Sequence, residues 1–284
     1  MRELRDRVAV VTGAGSGIGQ ATAMALSDAG CRLALVDRDP AGLAATAERL
    51  RARPGTAERP PSQHTADVAD RARMMALPAE VLDAHGAVHI VVNNAGVNLT
   101  APFSEMSLDD FDWVMGVDLM GVVHGCKAFL PHLRAADEAH LVNVSSMAAI
   151  LGLPTQSGYC AAKAAVLAFT ESLQCELSAT RVGVTCVLPG TTSTNILARG
   201  RAADPAGHQR LVRLMALFGA RPEQVARAIV RGIRQRRPRV VACPDAWLLA
   251  ALEQASPGMT RAAMRWLGRR LESSRLSRGA APAG

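Results

Sequence analysis

Tyrosine and lysine are what this chain of 284 residues has least of. There is one tyrosine, Tyr159, and among 32 basic side chains only Lys127 and Lys163 are lysines. Arginine carries charge as well as lysine does, but it does not offer a compact ammonium whose proton can be tuned. A general need for positive charge therefore does not explain a lone tyrosine four residues before one of two lysines.

Other absences bound the class. No apolar run approaches the ~18 residues that a membrane-spanning helix needs. The N-terminal MRELRDRVAVVTGAG goes straight into a strand pattern without the apolar core of a signal peptide, so a cytoplasmic protein is expected. The cysteines (Cys31, Cys126, Cys160, Cys175, Cys186, Cys243) have no C-x-x-C spacing, which favours reduced thiols over disulfides or a zinc site. The seven histidines show no ligand-like clustering, so no metal is implied. The formal net charge of +7 is uneven: residues 1–198 carry 15 basic and 20 acidic side chains, residues 199–284 carry 17 and 5. A nucleic-acid-binding fold wants its basic stripe on the folded body, so no nucleic-acid partner is expected.

What is present describes one large α/β domain. A hydrophobic content of 49% over this length is enough to bury a full core. The pattern predicts strands at 7–12, 32–36, 64–66, 88–92 and 239–242. Helices are expected at 17–29, 40–53, 70–84, 112–133 and 157–178. Continuous apolar strands separated by helices mean a parallel sheet covered on both faces, and such sheets bind ligands at the carboxyl ends of their strands. The polar and glycine clusters fall at those ends. After the first strand comes Gly13-Ala14-Gly15-Ser16-Gly17-Ile18-Gly19, which allows a tight turn and brings a helix N-terminus up to a pyrophosphate. After the second comes Asp37, a carboxylate placed to accept hydrogen bonds from an adenosine ribose.

The chemistry centres on residues 146–163. A helix starting near Ser157 puts the Tyr159 phenol and the Lys163 ammonium on one face. A free phenol ionises near pH ~10, and an adjacent ammonium favours the phenolate, which would bring Tyr159 towards use as a general acid or base at neutrality. Ser146, thirteen residues before the tyrosine, would hydrogen-bond the same substrate oxygen; Ser145 is the alternative.

With these motifs in view the chain resembles a short-chain dehydrogenase/reductase. Thr12-Gly13 with Gly17-Ile18-Gly19, Asn93-Asn94-Ala95-Gly96, Ser146 before Tyr159-x-x-x-Lys163, and Pro189-Gly190 with Thr194 stand in that family's order and near its spacings. The resemblance covers residues 7 to about 194. It implies a single doubly wound Rossmann-type domain with a central, mostly parallel seven-stranded sheet flanked by helices. It also implies NAD as cofactor, with Arg38 beside Asp37 able to turn to a 2′-phosphate and admit NADP. On that resemblance Asn94, Ala95 and Gly96 line the adenosine side, and Asp67 and Val68 touch the adenine. Pro189, Gly190, Thr192 and Thr194 would hold the nicotinamide carboxamide, and Lys163 the nicotinamide ribose. Where the family has an asparagine completing a proton relay, this chain has Asp118.

The substrate is less well marked. Met147, Ile150, Leu151 and Leu153 suggest an apolar pocket wall, favouring an apolar secondary alcohol or ketone, and residues 195–218 occupy the place of a lid. The catalytic domain is expected over 1–244, a helical extension over 245–272, and a disordered tail over 273–284. In the extension Arg261, Arg265 and Arg269 recur along one side of a helix. Packing over the cleft or a neighbouring subunit is the expected use of that extension, with attachment to a membrane surface as the alternative. The apolar helices at 112–133 and 157–178 suggest a homodimer or homotetramer. A non-catalytic cofactor-binding or partner-binding protein on the same fold is the other functional class.

Overall fold

Alternation along each strand divides the apolar side chains between two faces. In β1 (Val8–Thr12) Ala9 and Val11 belong to one buried cluster and Val8 and Val10 to another. In β4 (Ile90–Asn93) Ile90 and Val92 join the first cluster and Val91 the second. Both faces must therefore be covered, as the continuous apolar runs require. The computed structural model describes residues 1–53, 60–193, 196, 200–204, 209 and 219–279, with side chains as far as 273.

The remaining strands of the main sheet are β2 (Arg32–Asp37), β3 (Ser62–Thr65), β6 (Ala139–Val144), β7 (Val182–Leu188) and β9 (Arg239–Val241). They order as β3-β2-β1-β4-β6-β7-β9, and every neighbouring pair is parallel. Short strands β5 (Leu99–Thr100) and β8 (Arg201–Ala202) pair separately. The order reverses between β1 and β4, and a crevice opens there at the carboxyl ends.

One face is covered by α1 (Gly17–Asp28), α2 (Pro40–Arg51) and α7 (Pro222–Gln235), which contribute Leu26, Leu43, Ile229 and Ile233. The other is covered by α3 (Arg71–His85), α5 (Gly121–Ala135) and α6 (Ser157–Glu176), through Met74, Leu77, Phe129 and Val166. Asp39 and Asp70 start α2 and α3 by accepting backbone N–H bonds, and Gly86, in the left-handed region, ends α3.

The structure differs from the sequence expectations in several places, among them strands β6 and β7 and helix α7, which the pattern did not single out. The helix expected over 112–133 is three pieces: α4 (Leu108–Met115), a π-helical turn (Gly116–Met120) and α5. The stretch Leu108–Ala135 is long and apolar enough to cross a membrane by length and composition, although the sequence suggested no such run. More than half of its most apolar window is buried, so packing against the sheet accounts for its character. At the C-terminus, α8 (Pro244–Ala255) is followed by α9 (Pro257–Gly279). The helix continues past residue 272 as far as Gly279, into the segment expected to be disordered, because the Ser and Arg residues there do not break a helix. Strand β4 begins at Ile90 and not at Val88; His89 borders the ladder, its N–H donating to the Val8 carbonyl and its carbonyl accepting the His140 N–H. Most of the expected lid and Thr194 lie outside the described residues.

Candidate active site

The glycine-rich turn is shaped by contact with the next strand. Gly13 has φ +67°, and a Cβ on it would come within 2.9 Å of Ala95 Cα, so only glycine lets the turn lie against β4. Thr12 ties the same junction together: its Oγ1 accepts the backbone N–H groups of Asn94 (2.9 Å) and Ala95 (3.0 Å). Asn94 Nδ2 donates back to the Thr12 carbonyl at 3.0 Å. Ser16 stands at the N-cap of α1 in extended geometry without using its hydroxyl as a cap. The first turn of that helix thus faces the cleft with N–H groups available, the arrangement that receives a phosphate.

Asp37 closes the adenosine end. One carboxylate oxygen accepts the Gly15 N–H at 2.8 Å and the other the Asp39 N–H at 3.0 Å. Each oxygen keeps a second lone pair, which suits a ribose diol and opposes a phosphate dianion. Arg38 is exposed at the rim. Asp67 and Val68 line the same end, with Val68 seated against Gly121.

Around the opposite end, the cleft of about 370 Å³ brings together Ser146, Tyr159, Lys163, Gly96, Gly190 and Thr192. Lys163 is buried, with its ammonium 5.7 Å from the Tyr159 ring centroid. It donates to the Val144 carbonyl at 3.3 Å. Ser145 is buried and its hydroxyl donates to the Lys163 carbonyl at 2.7 Å, whereas Ser146 opens to the cleft and caps a short turn by accepting the Ala148 N–H at 3.1 Å. Ser146 is therefore the serine available to a substrate oxygen.

Asp118 lies in the π-helical turn, fully buried. Its Oδ1 accepts the Val97 N–H at 2.7 Å and its Oδ2 is 3.4 Å from Lys163 Nζ. The widened turn aims this carboxylate at the lysine. Burial pushes the Asp118 carboxyl up from the usual carboxylate range, with Lys163 pulling it back. Lys163 is held above the ordinary ammonium range: burial opposes its charge, but Asp118 and then Tyr159 outweigh that. Tyr159 departs from the sequence expectation. Burial raises its phenol, and the Asp118 charge adds to the rise; the Lys163 ammonium and a hydrogen bond with Ser146 act the other way without overcoming it. Lysine does favour the phenolate here, but the Asp118 carboxylate partly neutralises that lysine.

A model of the short chain dehydrogenase family matches residues 7–205. The chain belongs to the short chain dehydrogenase family. It is 39% identical over 247 residues to the putative oxidoreductase SadH of Mycobacterium tuberculosis, covering 85% of this chain and 87% of that one. It is 36% identical over 269 residues to the probable oxidoreductase EphD of the same species, where the match covers 92% of this chain and 45% of EphD; this short chain dehydrogenase spans less than half of that relative's length. A crystal structure of a short chain dehydrogenase/reductase from Burkholderia phymatum in complex with NAD superposes with a TM-score of 0.83 at 33% identity, over 91% of this chain and 96% of that one.

Sequence reasoning about this short chain dehydrogenase missed the contribution of the last strand. Cys243, Asp245 and Leu249 follow β9, and Asp245 and Leu249 line the cleft. Asp245 Oδ2 accepts the Thr191 N–H at 2.8 Å. The carboxyl-end rule that singled out Asp37 and Asn94 applies equally after β9, and the Pro-Asp pair opening a helix there was its signal.

Proposed function

We propose that this chain is a NAD-dependent oxidoreductase acting on an apolar secondary alcohol or the corresponding ketone. The observation that carries the reading is the convergence of Ser146, Tyr159 and a buried, charged Lys163 in one cleft with a glycine-rich turn and a ribose-facing Asp37. NAD, when bound, supplies the hydride acceptor for the alcohol carbon, and its reduced form the hydride donor for the ketone carbon.

The protein's own residues divide the rest. Ser16 and the first turn of α1 hold the pyrophosphate, Asp37 the adenosine ribose, and Gly190 and Thr192 border the nicotinamide. Lys163 holds the nicotinamide ribose. The Ser146 hydroxyl donates to the substrate oxygen and fixes its position between serine and phenol. In ketone reduction the Tyr159 phenol gives its proton to that oxygen; in alcohol oxidation the phenolate takes it back. Lys163 stabilises the phenolate, and Asp118 keeps Lys163 protonated while raising the pH at which the phenolate forms. Met147, Leu151, Leu153 and Leu249 line the cleft and favour an apolar substrate body.

Turnover of a panel of apolar secondary alcohols and ketones, followed by nicotinamide absorbance, tests the reading. It expects activity with NAD and a lower specificity constant with NADP, the gap narrowing in Asp37→Ala. A higher specificity constant with NADP in the native chain would overturn the assignment to NAD, and no turnover with either would overturn the reaction.

A further inference from the structure

The loop after β7 meets the start of α8 across the mouth of the cleft, and the contact is unusually close. Asp245 Oδ2 accepts the Thr191 N–H at 2.8 Å. A Cβ placed on Gly190 would lie 2.5 Å from Asp245 Oδ1 and 2.7 Å from its Cγ, so the carboxylate lies flat against the glycine backbone. Cys243, at the N-cap of α8 and almost wholly buried, faces the same loop through the Gly190 backbone and the Thr192 side chain. Thr192 Oγ1 in turn donates to the Gly190 carbonyl at 3.1 Å. Backbone pairs fasten the loop as well: Met147 N–H to the Pro189 carbonyl (3.0 Å), Ala220 N–H to the Thr191 carbonyl (2.8 Å) and Ser193 N–H to the Ala220 carbonyl (2.9 Å). Among the described residues Asp245 is the charged side chain that bonds this loop.

From this geometry we infer that Asp245, brought in by the C-terminal extension, is a positioning residue for the nicotinamide half of the cofactor site. The inference rests on the cofactor reading above. A peptide N–H bound to an anion is held more firmly than one bound to a neutral group. Holding Thr191 in this way fixes the orientation of the Gly190 and Thr192 groups that border the nicotinamide. It leaves untouched the glycine-rich turn and Asp37, which line the other end of the cleft. The α8 residues are then part of the catalytic unit: Ala246 is fully buried in the core cluster on that face of the sheet, and Leu249 continues the cleft wall.

The two halves of the site separate experimentally, because ADP-ribose carries the adenosine and pyrophosphate of NAD without the nicotinamide. Binding of NAD and of ADP-ribose is measured by calorimetry on the full-length chain and on Asp245→Ala, Asp245→Asn and Gly190→Ala. Asp245→Ala is expected to weaken NAD about tenfold, the size of one charge-assisted hydrogen bond, and to leave ADP-ribose within about twofold. Asp245→Asn keeps an acceptor for the Thr191 N–H and should restore much of the NAD affinity. Gly190→Ala pushes the same carboxylate aside and should reproduce the NAD-selective loss even if Asp245→Ala proves unstable. Equal weakening of both ligands would overturn the inference in favour of a general structural role, and unchanged binding of both would overturn it outright. A native chain that bound neither NAD nor ADP-ribose would instead refute the cofactor reading on which the inference stands, and the inference with it.

Discussion

At the residue scale, Asp118 sets the electrostatics of the proposed acid/base pair Tyr159 and Lys163. It is a buried carboxylate where the resembling family has an amide, and it raises both Lys163 and Tyr159. Asp118→Asn removes a negative charge near the phenol, so Tyr159 becomes easier to ionise. The acidic limb of kcat/KM for alcohol oxidation should then move to lower pH, and a shift to higher pH would show that Asp118 acts otherwise. A second residue, His140, ties the fold to acid stability. It is fully buried in β6, hydrogen-bonded to Thr185 Oγ1 at 2.8 Å, and burial pushes it from 6.5 down to about 3. His85 is likewise lowered to about 4. A histidine whose folded value is depressed supports the fold fully above its unfolded value, and that support is lost as pH falls through the window below it. Denaturation midpoints should therefore decline from about pH 6.5 towards 4, with His140 contributing up to ~1.4 kcal/mol per pH unit. The decline should be shallower in His140→Gln, at some cost in stability at neutral pH. Residues such as Tyr159, Lys163 and Asp37 were legible in the sequence because their chemistry and spacing are local. The direction of the Tyr159 shift was not, since it depends on burial and on Asp118, forty-one positions away in the chain.

At the element scale, most strands and helices could be read from periodicity because each buries a face that the pattern advertises. The π-helical turn at 116–120 could not, since nothing in Gly116-Val117-Asp118 announces one extra residue in a turn. For α8 the sequence left two surfaces open, the cleft or a neighbouring subunit; Asp245 and Leu249 line the cleft, which its apolar positions alone could not decide. Deletion of residues 245–284 removes Asp245, the buried Ala246 and the cleft residue Leu249. It should lower the melting temperature and raise the KM for NAD. The outer side of the extension carries exposed Trp247, Leu248, Met259 and Trp266, with Arg270 stacked on Trp266 at 4.6 Å. Binding to anionic vesicles should be unchanged by the deletion if α8 serves the cleft alone. Salt-sensitive vesicle binding lost on deletion would assign that outer face to a membrane surface.

At the scale of the whole molecule, a family fold carries one proposed reaction. Leu119, Leu130 and Phe169 pack only partly on the core of one chain. We expect these faces of the π-helical turn, α5 and α6 to pair across a two-fold axis, so light scattering at micromolar concentration should return a dimer or tetramer, and a monomer would count against that pairing. The central claim is that Tyr159 moves the substrate proton in a cleft that binds the cofactor without its help. Its most direct test is Tyr159→Phe, with NAD affinity and turnover measured on the same preparation. The account predicts NAD binding close to that of the native chain and a rate at least ~10²-fold lower, the usual contribution of a general acid or base; a variant that keeps more than about a hundredth of the native rate would contradict it.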